Sequence, residues 1–285
     1  MAKLTETAIR RLAGLDPFPL PSVIAVRHPV VFMHGFGMLA GLRRGGHLSD
    51  AATYLRTRGV RAYAPNVAPY NTVDARCHMW LQRLRHVLEE SRGEKLNLIA
   101  HSMGGLDARY LITKCGFHDR VASLVTISTP HHGSVLAEYV LGQPDRIRTL
   151  LTDIANWMGT KALEDAEADF STAVSELTPD NVRRTFNTQV PNHADVRYWS
   201  YAASAGRGCK NSINPFLRLG NGVIYETEGL NDGMVSTESA QWGQHLGTIN
   251  ADHAQQIGFS FPGAAYFDHK QFYASVAEML ANESL

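Results

Sequence analysis

The chain has only three cysteines in 285 residues, Cys77, Cys115 and Cys209. They are too few and too scattered for a disulfide framework or a zinc motif. Each reads as a reduced thiol acting as a small buried hydrophobe. Neither sign of charge is in excess, since 27 Lys and Arg balance 27 Asp and Glu. Phosphate binding needs a basic excess or a basic stripe. Arg43-Arg44 and Arg183-Arg184 are isolated pairs, so nucleic acid is excluded as the main partner. No apolar run approaches the ~18 residues of a membrane span, so no transmembrane segment is expected. Met1 to Arg11 is polar and mixed in charge, without the apolar core of a secretory signal. The expectation is a cytoplasmic protein, or a secreted one whose leader has been removed. There is no internal repeat, low-complexity tract or long linker.

Enough apolar material is present for a sizeable core. The apolar fraction is 44% and the charged fraction 19%, which is not the composition of a disordered chain. A chain near 300 residues buries about three quarters of its unfolded surface. Short apolar runs alternate with helical patterns between residues 30 and 128. Pro29 to Met33 reads as a strand ending at His34-Gly35, and Leu48 to Arg58 as a helix closed by Gly59. Val60 to Ala64 is a second strand, stopped by Pro65. Thr72 opens a long helix with Trp80, Leu84, Val87 and Leu88 on one stripe and Gly93 as the stop. Leu96 to Ala100, Met103 to Thr113 and Val121 to Ile127 read as strand, helix, strand. This order predicts an α/β fold with a parallel sheet covered by helices on both faces.

Regularity breaks after Pro130. Residues 133–190 hold helical stretches and no convincing strand. Ile147, Leu150, Leu151, Ile154, Trp157 and Met158 form one apolar stripe at helical spacing. Strands resume at Val196 to Tyr201, again before Asp232, and at Leu246 to Ile249. From His269 the residues Phe272, Val276, Met279 and Leu280 mark a final amphipathic helix. The division that fits is one domain over residues 1–285, with a helical cap or lid inserted at about 133–190.

The segment Leu96 to Gly105, LNLIAHSMGG, carries the chemistry. It lies where an apolar strand ends and a helix begins, and a sharp turn there exposes the Ser102 hydroxyl above the sheet edge. Such an elbow needs small residues two before and two after the serine, because the strand and helix backbones nearly touch. Gly104 meets the requirement. Ala100 stands where glycine is usual, at the cost of one methyl. A serine nucleophile needs a base, and thirteen histidines compete for the role. Chain order behind such an elbow runs serine, acid, histidine. Asp232, in the glycine-flanked turn Gly229 to Val235, is then the acid. His253, just past the last strand, is the base. Asp195 precedes its strand, Asp252 abuts the base, and His269 opens the terminal helix, which makes each a weaker candidate. Oxyanion donors are expected from the N–H of Met103, next after the nucleophile, and from the His34-Gly35-Phe36-Gly37 loop, where Phe36 is the choice.

Four segments resemble bacterial family I triacylglycerol lipases of the α/β-hydrolase fold: Pro29 to Phe36, Ala100 to Tyr110, Ile127 to Ser134 and Leu230 to Val235. The resemblance covers most of residues 29–255, with a weak middle from 140 to 190. It implies a Ser102, Asp232 and His253 triad, an oxyanion hole at Phe36 and Met103, and a mobile lid in the 133–190 insertion. The stripe itself, with Leu150, Ile154, Trp157 and Met158, reads either as lid contacts with substrate or as the core of an immobile cap. Two positions depart from it. Those lipases carry a structural calcium with a carboxylate two residues after the catalytic histidine, where this chain has Gln255. A further side-chain ligand lies six after it, where this chain has Phe259. Calcium wants several oxygens, usually carboxylates, so no metal and no cofactor is expected.

His131 and His132 point apart at a strand end and read as non-metal residues. Asp107 and Arg109, one turn into the helix after Ser102, read as structural ion partners. The function expected is a serine carboxylic-ester hydrolase acting on lipid esters through an acyl-enzyme, with its substrate at a lipid–water interface. A phospholipase, a short-chain carboxylesterase or an acyltransferase on the same fold is the alternative, and a hydrolase-like binding protein is the non-enzymatic one. Oligomeric state is not legible.

Overall fold

Val30, Val31, Phe32 and Met33 are all buried, and successive side chains of a strand point to opposite faces. Val30 and Phe32 enter one apolar cluster, whereas Val31 and Met33 enter another. The strand therefore lies inside a sheet covered on both sides. The computed structural model describes residues 13–14, 22–35, 48–68, 71–142, 167–260 and 265–285. Its sheet has six strands, β1 (Val30–Met33), β2 (Ala62–Tyr63), β3 (Leu96–His101), β4 (Val121–Ile127), β5 (Arg197–Ala203) and β6 (Gln244–Ile249). They lie in the order β2-β1-β3-β4-β5-β6, and every pairing is parallel.

Among the described residues, seven α-helices longer than a single turn flank the sheet or follow it: α1 (Ser49–Thr57), α2 (Val73–Ser91), α3 (Gly104–Thr113), α4 (Val135–Leu141), α5 (Glu167–Glu176), α6 (Arg218–Glu228) and α7 (His269–Asn282). Ala51, Ala52 and Leu55 of α1 and Tyr273, Ala277 and Leu280 of α7 cover the face of Val30 and Phe32. Trp80, Leu84 and Val87 of α2 and Ala108, Leu111 and Ile112 of α3 cover the other, against Leu98 and Ala100. Thr72 caps α2, its hydroxyl accepting from the Ala75 N–H at 3.3 Å. Asp268 caps α7 in the same way, through the Gln271 N–H at 3.0 Å.

The expected strand before Asp232 is a helix. Val223-Ile224-Tyr225 has a strand-like composition, but Ile224 is wholly buried against Leu136, Ala137 and Val140 of α4. Tertiary packing overrides the weak local preference, and an isolated bridge between Asn231 and Ser236 is what strand pairing remains there. Of the 133–190 insertion, α4, α5 and the helical turns from Asn181 to Gln189 are described, and no strand occurs among them. The stripe with Leu150, Ile154, Trp157 and Met158 lies outside the described residues.

The sheet fixes where a site can form. Chain order reverses between β1 and β3, because β2 lies on the outer side of β1. Loops leaving such neighbours diverge to opposite faces and open a crevice at the carboxyl ends of the strands. His34-Gly35 and Ser102-Met103 leave the sheet at that point.

Candidate active site

Ser102 follows the last residue of β3 with φ +56°, a left-handed conformation that costs a non-glycine residue about 1–3 kcal/mol. The surroundings hold it there. Its N–H donates to the Ile127 carbonyl at 2.9 Å, and its own carbonyl accepts from Thr129 Oγ1 at 2.7 Å and the Gly105 N–H at 3.0 Å. Ser102 is half-buried, between a buried His101 and a buried Met103. A Cβ on Gly104 would lie 2.5 Å from the Met33 carbonyl, so no larger residue fits two after the serine. Two before it, the Ala100 methyl is accommodated in the apolar layer formed with α2 and α3.

A Cβ on Gly35 would lie 2.7 Å from both Met103 N and Ser102 Cβ. The loop after β1 thus presses against the start of α3, where first-turn N–H groups have no helical acceptor. Met103 lies at that start, fully buried. Phe36 lies outside the described residues. Arg76 of α2 straps this loop from behind. Its Nη2 donates to the carbonyls of His34 (2.7 Å) and Gly35 (3.2 Å), and its Nη1 to that of Ala68 (2.7 Å). Asp107 of α3, wholly buried, pairs with the guanidinium at 2.8 Å and accepts from Trp80 Nε1 at 3.0 Å. His34 completes the strap, with Nδ1 2.9 Å from the Gly35 carbonyl and Nε2 accepting from the Val67 N–H at 3.2 Å.

Asp232 and His253 come together from loops 21 residues apart, with His253 Nδ1 2.7 Å from Asp232 Oδ2. Asp232 is fully buried. Its Oδ1 accepts from the N–H groups of Met234 (3.0 Å) and Val235 (2.9 Å), and its carbonyl accepts from the His253 N–H at 3.0 Å. Gln256 Nε2 donates to Oδ2 at 2.9 Å. A carboxylate accepts and does not donate, so Gln256 turns its Oε1 toward His101 Nε2, 3.1 Å away. Burial alone would raise the Asp232 carboxyl. The charge and hydrogen bond of His253, the Val235 N–H and the Gln256 amide outweigh it and hold the group below the usual carboxylate range. The His253 ring lies 4.5 Å from that of His101, the residue just before Ser102. The arrangement can fix the imidazole tautomer, with Nδ1–H on the carboxylate and Nε2 free to accept a proton.

The rival groups are elsewhere engaged. His269 Nε2 meets Asp50 Oδ2 at 2.9 Å, joining α7 to α1. Asp195 is exposed beside His193. Asp252 is a buried structural anchor, whose carboxylate accepts from Asn214 N (2.8 Å), Asn214 Nδ2 (2.7 Å), Ala254 N (3.0 Å) and Gln255 N (2.9 Å).

A family model described as palmitoyl protein thioesterase matches residues 29–199, more than half of the chain. The triacylglycerol lipase of Vibrio cholerae serotype O1 is 32% identical over 252 residues, 79% of this chain and 76% of that one. The chain belongs to the palmitoyl protein thioesterase and triacylglycerol lipase family. Triacylglycerol lipase 2 of Saccharomyces cerevisiae is 31% identical over 215 residues, 72% of this chain, and the matched part spans 60% of the yeast protein's length. A metagenomic carboxyl esterase superposes with a TM-score of 0.72 at 20% identity, over 94% of this chain and 79% of the other. The fold is the α/β-hydrolase fold.

Within this fold, Gln255 is occupied at both ends. Its Oε1 accepts from the Asp252 N–H at 2.8 Å, and its Nε2 donates to the Ala265 carbonyl. Among the described residues no group of three or more His, Cys, Asp or Glu could hold a metal ion. His131 is buried between Thr126 Oγ1 (3.0 Å) and Arg109 Nη1 (3.3 Å), and burial pushes its imidazole well below its ordinary pKa. The expectation of two ion partners one turn into α3 divides. Asp107 pairs with Arg76, but Arg109 meets no carboxylate among the described residues. Arg109 instead stacks 3.6 Å from the Trp242 ring centroid and donates to Asn187 Oδ1 (3.0 Å) and the Val190 carbonyl (2.9 Å). Desolvation lowers its pKa to about 9. A planar cation stacked on an indole replaces the ion pair.

Sequence reasoning missed Arg76, His101, Gln256 and Asn214. Arg76 left a signal, a cation four residues before Trp80 on the buried stripe of a predicted helix. Gln256 and Asn214 left none, because neutral amides are common on loops and their partners lie 24 and 38 residues away.

Proposed function

We propose that the protein is a serine carboxylic-ester hydrolase acting on lipid esters, with Ser102 as nucleophile, His253 as general base and Asp232 as its orienting acid. Ser102 Oγ adds to the ester carbonyl carbon as His253 takes its proton. The oxyanion accepts hydrogen bonds from the Met103 and Phe36 N–H groups. His253 then protonates the leaving alcohol, and an acyl-Ser102 ester remains. Water, deprotonated by His253, attacks that ester and releases the fatty acid. The observation that carries the reading is the 2.7 Å bond between buried Asp232 and His253, whose ring lies against the residue preceding a serine in left-handed conformation.

Relatives named triacylglycerol lipase favour a glycerol ester as substrate. The thioesterase family model favours a fatty thioester. The chemistry is shared, because both place the same acyl group on the serine. The insertion at 133–190, with Leu150, Ile154, Trp157 and Met158, is proposed as a cap over the acyl pocket. Leu177 and Phe186, at its described end, pack in one apolar cluster with Met103 and Leu106. No helix among the described residues is long and apolar enough to cross a membrane.

A panel of p-nitrophenyl esters with two to eighteen carbons, triolein emulsion, a phospholipid and a palmitoyl thioester tests the substrate class. Highest turnover on long-chain p-nitrophenyl esters and triolein is expected. Highest turnover on two- to four-carbon soluble esters would replace lipid esters by small ones, and no turnover on any member would overturn the reading. Rate should continue to rise past the substrate solubility limit if the cap opens at an interface.

A further inference from the structure

Two of the three cysteines meet. Cys77 lies in α2 and is wholly buried, and Cys115 follows the end of α3 and is half-buried. Their Sγ atoms are 2.9 Å apart, against ~2.05 Å in a disulfide bond. We propose that Cys77 and Cys115 form a disulfide cross-link between α2 and α3 when the chain meets an oxidising low-molecular-weight disulfide. This inference stands apart from the ester-hydrolase reading and needs no part of the triad.

The geometry assigns the two sulfurs different roles. Cys115 lies past the last turn of α3, next to Gly116 at φ +62°, in a segment that can yield the remaining distance. It is the sulfur that a small reagent can reach. Cys77 is packed among Trp80, Leu84 and Leu111 and receives no reagent directly. Burial first, and then the neighbouring Cys115, push the Cys77 thiol up, so it enters second and slowly.

With glutathione disulfide the steps balance. The Cys115 thiolate attacks one reagent sulfur, the reagent S–S bond breaks, and one glutathione thiolate leaves. Cys77 then gives up its proton to solvent and attacks Cys115 Sγ, and the second glutathione thiolate leaves. Two protein thiols are oxidised to one disulfide, and one reagent disulfide is reduced to two thiols.

The cross-link would tie together the two helices that cover one face of the sheet beside the site. α2 carries Arg76, one residue before Cys77, and α3 starts two residues after Ser102. Closing a loop of about 40 residues should raise Tm by about 5–10 °C. Cys209 lies in a separate turn near Tyr225 and has no sulfur partner among the described residues.

The test treats the reduced full chain with glutathione disulfide, alkylates remaining thiols under denaturing conditions and maps the peptides by mass. The expected result is joint loss of alkylation at Cys77 and Cys115, recovery of the cross-linked peptide pair, alkylation at Cys209, and a raised Tm that dithiothreitol reverses. In Cys77→Ala the reaction should stop at a glutathione adduct on Cys115. A stable adduct on Cys115 with Cys77 still alkylated in the parent chain would overturn the proposal. So would a cross-link through Cys209, or full alkylation of all three cysteines after oxidation.

Discussion

Replacing Arg76 by methionine keeps most of the side-chain volume and removes the charge. The guanidinium donates to Asp107 and to three backbone carbonyls, of His34, Gly35 and Ala68, and both members of the ion pair are wholly buried. Removing one partner of a buried pair leaves the other charge uncompensated, at a cost of about 3–5 kcal/mol. Asp107 can escape part of this by taking up a proton, since burial already pushes its carboxyl up. Three carbonyls also lose their donor, which keeps the loss near that range. For a chain of this size each kcal/mol moves Tm by roughly 2–4 °C. A loss of about 6–20 °C is expected in a thermal melt, with a matching drop in the urea midpoint. Asp107→Asn should cost less, because Arg76 keeps its three carbonyl acceptors. Arg76→Met combined with Asp107→Leu should cost less than the sum of the single changes, because neither charge is then stranded. An Arg76→Met loss below about 1 kcal/mol, or strict additivity in the double variant, would show that the pair does not hold the loop after β1.

Asp252→Ala removes the acceptor for Asn214 and for the N–H groups of residues 254 and 255, all buried. A loss of about 2–4 kcal/mol in denaturant titration is expected, with a fall in kcat from displacement of the adjacent His253 that Asp252→Asn partly restores. The Asp232 carboxyl is held below its usual range in the folded chain, so on acidification the unfolded chain binds the proton first, near pH 3.9. Its contribution to stability should be complete above that pH and be lost as pH falls through the lower folded value. Accordingly, the Tm gap between the parent and Asp232→Asn should shrink as pH falls below about 4. EDTA should leave Tm and ester hydrolysis unchanged, because Gln255 and Asp252 are saturated by protein groups. A loss reversed by calcium alone would show a site built from other residues.

The centre of the sheet was legible because β1, β3 and β4 are buried on both faces and read as short apolar runs between glycine and proline stops. Val121–Ile127 matches the expected strand residue for residue, and α2 begins and ends within two residues of its expected stops. The helix α6 was not legible, since Val223-Ile224-Tyr225 carries strand composition and its packing against α4 is set by residues some 85 positions earlier. Ser102 was readable from its place between strand and helix. Asp232 and His253 were readable from chain order, which the fold imposes. The strap of Arg76, the amide of Gln256 and the meeting of Cys77 with Cys115 were not, because each joins groups 24 to 42 residues apart through one or two polar atoms. Hydrophobic periodicity records which face is buried and is blind to such pairs.

Covalent capture tests the central assignment most directly. The full chain is incubated with a long-chain alkyl fluorophosphonate and digested, and the adduct is located by mass. One adduct on Ser102 is predicted. His253→Ala should slow its formation by several orders of magnitude, as losing a member of a unit that acts together does, while leaving the fold intact by circular dichroism. An adduct on another serine, with Ser102 unmodified, would contradict the account. So would Ser102 labelling at an undiminished rate in His253→Ala.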